Sequence, residues 1–202
     1  MKSSEKLEYL LNLVLTELKN TFHSSIDAQF LMKQAAKYGN LDSAKAIVQY
    51  VEHRNPYVMW VVDFAKPLEL AIEHNHPSCV DYFIEFVRDQ EVMSAAKLAS
   101  KLGHLQALEI IISSLEERNL LNDNSLHGPL CLALENYHQE TFKYLIDRFE
   151  NVHGFVKMFL SANNWQFNIQ FNIVSSGHFN PNALKALIEY AYTRTITRPD
   201  HL

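Results

Sequence analysis

His74, His76 and Cys79 stand close together in the chain, and imidazole nitrogens with a thiolate at short spacing are the donors from which zinc sites are built. Zinc needs its ligands to converge on one point at about 2 Å. Cys79 falls inside a predicted helix, and no second ligand pair follows at zinc-finger spacing. Four of the ten histidines, His76, His104, His138 and His178, occupy one recurring position next to a turn. Equivalent positions in a helical repeat form a ladder with steps of about 8–10 Å, which cannot converge on an ion. These histidines read as structural turn residues, and no metal or cofactor is assigned. The sequence has no glycine-rich phosphate loop, no G-x-S-x-G elbow, no H-E-x-x-H and no kinase signature, so no catalytic residue is assigned either.

The elements that carry these histidines recur. A turn signature appears as Ala35-Ala36-Lys37-Tyr38-Gly39-Asn40, Ala71-Ile72-Glu73-His74-Asn75-His76, Ala99-Ser100-Lys101-Leu102-Gly103-His104 and Ala133-Leu134-Glu135-Asn136-Tyr137-His138. A weaker fifth copy runs from Ile173 to His178. The closing residues 39, 75, 103, 137 and 177 are 36, 28, 34 and 40 residues apart, within the range of helical solenoid periods. Glycine or asparagine at 39, 75, 103 and 177 suits the left-handed conformation that closes a short helix. A bulky Tyr137 in that conformation is strained.

Counting from each closing residue tests the repeat. Offset +5 holds Ala44, Val80, Leu108 and Phe142, and offset +8 holds Ile47, Phe83, Ile111 and Leu145. Offset +9 holds Val48, Ile84, Ile112 and Ile146, and offset +12 holds Val51, Val87, Leu115 and Phe149. All sixteen are apolar, which at 48% hydrophobic content has a chance of roughly one in 10⁵ for independent positions. Offsets +6 and +10 hold only polar residues: Lys45, Asp81, Glu109, Lys143, Gln49, Glu85, Ser113 and Asp147. Each second helix therefore buries one stripe and leaves the other face in water. The fifth copy joins this register after an insertion near Asn180-Pro181, through Leu184, Leu187 and Ile188.

The first helices open at Lys66-Pro67 and Gly128-Pro129 in two copies, where proline suits the first helical position. Alanines 35, 71, 99 and 133 let neighbouring first helices approach closely. Residues 3–22 form a separate amphipathic helix with Leu7, Leu10, Leu11, Val14, Leu18 and Phe22 on one face, read as an N-terminal cap on the first repeat.

Composition bounds the partners. Eighteen basic and 23 acidic residues give a formal charge of −5, which lacks the basic footprint that nucleic acid requires. Charges interrupt the N-terminal leucines and Val58–Val62 is too short to span a bilayer, so no integral membrane segment is expected. Two cysteines, Cys79 and Cys131, are too few for a disulfide framework and are read as small core residues of a cytoplasmic protein. With few glycines and prolines and no low-complexity tract, residues 1–202 are expected to form a single domain.

The pattern resembles the ankyrin repeat, whose motif runs Thr-Pro-Leu-His-Leu-Ala-Ala, two residues, Gly-His-Leu and an aliphatic helix. The resemblance covers about residues 28–192 and is most complete at Ala35–Leu41 and Ala99–Leu105. The motif's opening threonine and histidine are replaced by Lys66 and Glu69, and by Gly128 and Cys131. Tetratricopeptide repeats share the period, but their marker residues are missing. The resemblance implies an all-α helical-repeat solenoid of about five helix–turn–helix repeats behind an N-terminal cap helix. It also implies non-catalytic binding of a protein partner on the concave face. On this chain that face would comprise Lys37, Tyr38, Glu73, His74, Lys101, Leu102, Glu135 and Asn136, and the loop aromatics Tyr57 and Trp60 are added as interface anchors. Trp165 and Phe167 fall in the second long connection.

The chain is also similar to divergent ankyrin-type proteins of intracellular bacteria and large viruses, which implies an effector engaging host proteins in host cytosol. Two alternatives belong to other classes. One is an enzyme acting on a protein substrate, with its site in the fifth copy or the long loops, and the other is a structural subunit of a larger assembly.

Overall fold

A computed structural model of the chain describes residues 25–54, 62–149, 189, 190 and 193. Regular structure among the described residues is all α-helical, with no strand. The helices are α1 (Ser25–Tyr38), α2 (Leu41–Arg54), α3 (Ala65–Glu73), α4 (Pro77–Ile84), α5 (Asp89–Leu102), α6 (Leu105–Glu117), α7 (Asp123–Glu135) and α8 (Gln139–Ile146). No described helix is long and apolar enough to cross a membrane. The chain divides into two compact units, Met1–Arg88 and Asp89–Leu202.

Each unit holds two helix–turn–helix pairs built the same way. In the first, α1 packs on α2 and α3 on α4, while α1 meets α3 and α2 meets α4. In the second, α5 packs on α6 and α7 on α8, while α5 meets α7 and α6 meets α8. The alanines at 35, 71, 99 and 133 are fully buried, as close approach of first helices demands. The sixteen apolar stripe positions are all buried, each at most 8% exposed, although Val87 and Phe149 lie beyond the ends of α4 and α8. None of the eight polar positions between them is buried. Burying each larger aliphatic or aromatic side chain contributes about 1.5–3 kcal/mol, so this stripe is the main source of cohesion in both units.

The turns explain how the stripes come into register. Residues 39, 75, 103 and 137 all have positive φ, at 67°, 55°, 71° and 58°. At each, the closing N–H donates to the carbonyl three residues back, and the next N–H donates to the carbonyl five residues back. This double closure satisfies orphan carbonyls of the helix end and needs a left-handed residue. Tyr137 adopts it despite its side chain, at a cost of about 1–2 kcal/mol. Asn119, φ 57°, closes α6 the same way through Glu116 and Leu115.

Helix starts differ from expectation. Pro67 is the third residue of α3, still in the first turn; the first N–H to donate into the helix is that of Leu68, to Phe64. The proline that opens a helix is Pro77, at the start of α4. Pro129 lies well inside α7, because Asn122 and Ser125 form a reciprocal capping box that starts the helix at Asp123. Gln29 of α1 clamps the chain entering α3, accepting from Asp63 N at 2.8 Å and donating to Asp63 O at 2.7 Å.

The N-terminal helix expected over residues 3–22, the fifth turn copy at 173–178 and Trp165 and Phe167 lie outside the described residues. Residues 189, 190 and 193 are helical, and Tyr190 OH donates to the Asp147 carboxylate at 3.1 and 3.2 Å.

At Ser100 polarity and burial conflict: it is fully buried, and its Oγ has no hydrogen-bond partner. The equivalent residue in the first unit is Ala36, also fully buried. Because an unsatisfied buried hydroxyl costs about 1–3 kcal/mol, Ser100→Ala is expected to stabilise the protein by about 1 kcal/mol. A urea titration followed by circular dichroism checks this, and an unchanged or lower midpoint refutes it.

Candidate functional site

The residues just after each turn set the geometry. Position 40, 76, 104 or 138 accepts the first hydrogen bond of the following helix through its backbone carbonyl. Asn40 also caps α2 with its side chain, accepting from Ser43 N at 3.0 Å. His76 and His138 provide no side-chain cap to α4 and α8 and reach the other way. His76 Nε2 lies 3.1 Å from Lys37 O, and His138 Nε2 lies 3.0 Å from Lys101 O. A carbonyl only accepts, so Nε2–H is the donor in both. Each ring thus satisfies a last-turn carbonyl of the preceding first helix, one of the groups a helix end leaves open.

Each ring also rests on a glycine. A Cβ on Gly39 would fall 2.5 Å from His76 Nδ1, and one on Gly103 would fall 2.6 Å from His138 Cγ. Glycine is therefore required twice over at both turns, by backbone conformation and by the neighbouring ring.

The expected binding residues are placed around these junctions. Lys37 and Tyr38 end α1 exposed, Tyr38 at 55%, with Lys37 Nζ 5.8 Å from the Tyr38 ring. Glu73 and His74 end α3 exposed, and the His74 ring lies 6.4 Å from that of His76, nearly parallel. α1 and α3 pack together, so these four residues share one edge of the first unit. In the second unit Lys101 and Asn136 are exposed, while Leu102 and Glu135 are half-buried. Asn136 spends its amide on its own helix end, donating to Leu132 O at 2.8 Å. Tyr57 and Trp60 lie outside the described residues. Phe30 on α1 is 60% exposed; it had no part in the sequence pattern, because a single phenylalanine on a helix gives no sign of which way it faces.

The local trio His74, His76 and Cys79 separates in space by environment. Cys79 is fully buried on α4, His74 is exposed, and His76 Nε2 is committed to Lys37 O. Among the described residues, no group of three or more His, Cys, Asp or Glu side chains is arranged to hold a metal ion. Cys131 is half-buried on α7, with Sγ 3.9 Å from His127 Nδ1. Burial, with a smaller push from Glu135, raises its thiol to about 11, and burial alone raises Cys79 to about 11, from 9.0. That is the opposite of an activated nucleophile. No family model and no curated protein matches the chain.

Two outcomes follow for solution measurements. Gly103→Ala is expected to destabilise by more than about 1 kcal/mol, since the left-handed conformation and the His138 ring both oppose a Cβ. His138→Ala is expected to cost about 1 kcal/mol through the lost hydrogen bond. Urea melts of the two single variants and the double variant measure the coupling; strict additivity would rule out the ring–glycine contact.

The second outcome concerns alkaline pH. The thiols of Cys79 and Cys131 are held up in the folded chain, as are Tyr82 and Tyr144 by burial and Lys66 by its hydrogen bond to Glu69. A raised folded-state value means stability fully present below the unfolded value and lost as pH rises through the folded one. Stability is expected to fall between about pH 9 and pH 11. The fall should be shallower in Cys79→Ala with Cys131→Ala, and an equal slope in that double variant would exclude the thiols as contributors.

Proposed function

We propose that the chain is a helical-repeat solenoid of the ankyrin kind and a non-catalytic module that binds a protein partner along the exposed ends of its first helices. Four features support the architecture: the shared double-bonded turn, the first-on-first and second-on-second packing, the buried stripe and the alternating polar face. The fold expected from the resemblance combines the same features.

One observation carries the functional reading. At each turn, the buried alanine, the closing residue and the following position are committed to the fold, whereas the side chains just before the closing residue largely face water. Tyr38, a large side chain held 55% exposed at a helix end, stabilises little where it stands. Tyrosine there, with lysine, glutamate and histidine beside it, is the mixture that protein interfaces favour.

The test is affinity capture from cytosol with the intact chain, beside a triple variant Tyr38→Ala, His74→Ala and Leu102→Ala checked for unchanged helicity. A partner held by the intact chain and lost with the variant supports the reading. Equal capture by both removes these helix ends from the binding surface.

A further inference from the structure

The two units repeat one another with twice the basic period. α1 and α5 are each 14 residues long, and both close on a left-handed glycine covered by a histidine of the following pair. α3 and α7 both contain a proline and close on a residue with a side chain, Asn75 and Tyr137. The surface follows the same alternation. Two residues before the closing residue stand Lys37 and Lys101 on α1 and α5, and Glu73 and Glu135 on α3 and α7. The next residue is apolar after each lysine, Tyr38 and Leu102, and polar after each glutamate, His74 and Asn136. Among the described residues, none of Lys37, Glu73, Lys101 and Glu135 is held in an ion pair.

Resting on the reading of the chain as a protein-binding module, we propose that each unit carries one copy of the same docking site. Its occupant is a peptide segment with a carboxylate for the lysine, an apolar side chain for Tyr38 or Leu102, and a cationic side chain for the glutamate. The two charges on the segment stand about 8–10 Å apart, the separation of packed helices. A segment of uniform charge meets repulsion from one member of each pair, so the site selects against purely acidic and purely basic chains. Glu135 adds a desolvation argument: burial holds its carboxyl above the ordinary range, and a cation placed beside it relieves that penalty. Exposed charges contribute little singly, so discrimination comes from matching both signs at once.

The experiment is selection of a displayed library of random linear peptides on the intact protein, followed by titration of the enriched peptides. Enriched sequences are expected to carry both an acidic and a basic residue, with an apolar residue beside the acid, and to bind two per chain. Lys37→Glu with Glu73→Lys preserves net charge and any attraction between the two helices; it is expected to weaken binding at one of the two sites about tenfold. Lys101→Glu with Glu135→Lys should do the same at the other site, and both together should weaken both. If Glu135→Lys lowers helicity, Lys101→Gln with Glu135→Gln replaces it. Enrichment of single-sign peptides, or affinities that ignore the inversions, overturns the site. If the triple alanine variant still loses its cytosolic partner in that case, the binding-module reading stands and only the paired-charge site falls. Failure to enrich any peptide overturns the site too, and the same capture result decides the wider reading.

Discussion

The left-handed residue at the end of each first helix is the constraint on which the rest depends. Positive φ at 39, 75, 103 and 137 reverses the chain in two residues and aims the next carbonyl into the start of the second helix. A one-residue change in that connection would rotate the second helix by about 100° and carry its apolar stripe away from the core. All sixteen stripe positions are buried because all four turns close identically. At Gly39 and Gly103 the constraint extends beyond the turn, since the missing Cβ is the space in which His76 and His138 sit. A local backbone requirement and a contact between pairs thus meet at the same two atoms.

Much of this was legible in the residues. Gly39, Asn75 and Gly103 announce left-handed turns by type, and Tyr137 was placed there by register against its own preference. The stripe was legible because helical periodicity is a one-dimensional signal that survives translation into burial. What failed to show was where helices begin. Pro129 looked like a helix start, but Asn122 and Ser125 cap one turn and more upstream, and a proline can be carried inside a helix when packing outweighs its lost hydrogen bond. The Gln29 clamp on Asp63 was invisible because glutamine to backbone pairing over 34 residues leaves no spacing rule.

The candidate site was legible in position and only partly in chemistry. Lys37, Tyr38, Glu73 and His74 lie together at the surface because repeat register places equivalent residues on packed helices. Leu102 and Glu135 are half-buried, since exposure at a helix end depends on neighbours that periodicity does not describe. The recurring histidines suggested structural turn residues, but that their rings reach the preceding helix required geometry. A histidine at a helix start can cap its own helix, as Asn40 does, or turn away from it, and the residue type alone allows both.

The histidine link also defines the smallest meaningful piece of the first unit. Where like helix pairs pack side by side, stability divides into terms within each pair and terms at the junction between them. The α1–α2 pair owns the glycine and the open carbonyl, and its own residue at the linking position is Asn40, which is committed to α2. The α3–α4 pair owns the ring but closes on Asn75, whose side chain stands where the glycine would be needed. Neither pair holds both halves of the link, and two pairs together complete it once. In the second unit the corresponding contact joins α5–α6 to α7–α8 through Gly103 and His138, although α5–α6 also carries His104 at its own linking position. Within each unit the contact runs one way: the first pair supplies the glycine and the open carbonyl and the second supplies the ring, so the contact is complete only when both pairs of the unit are present.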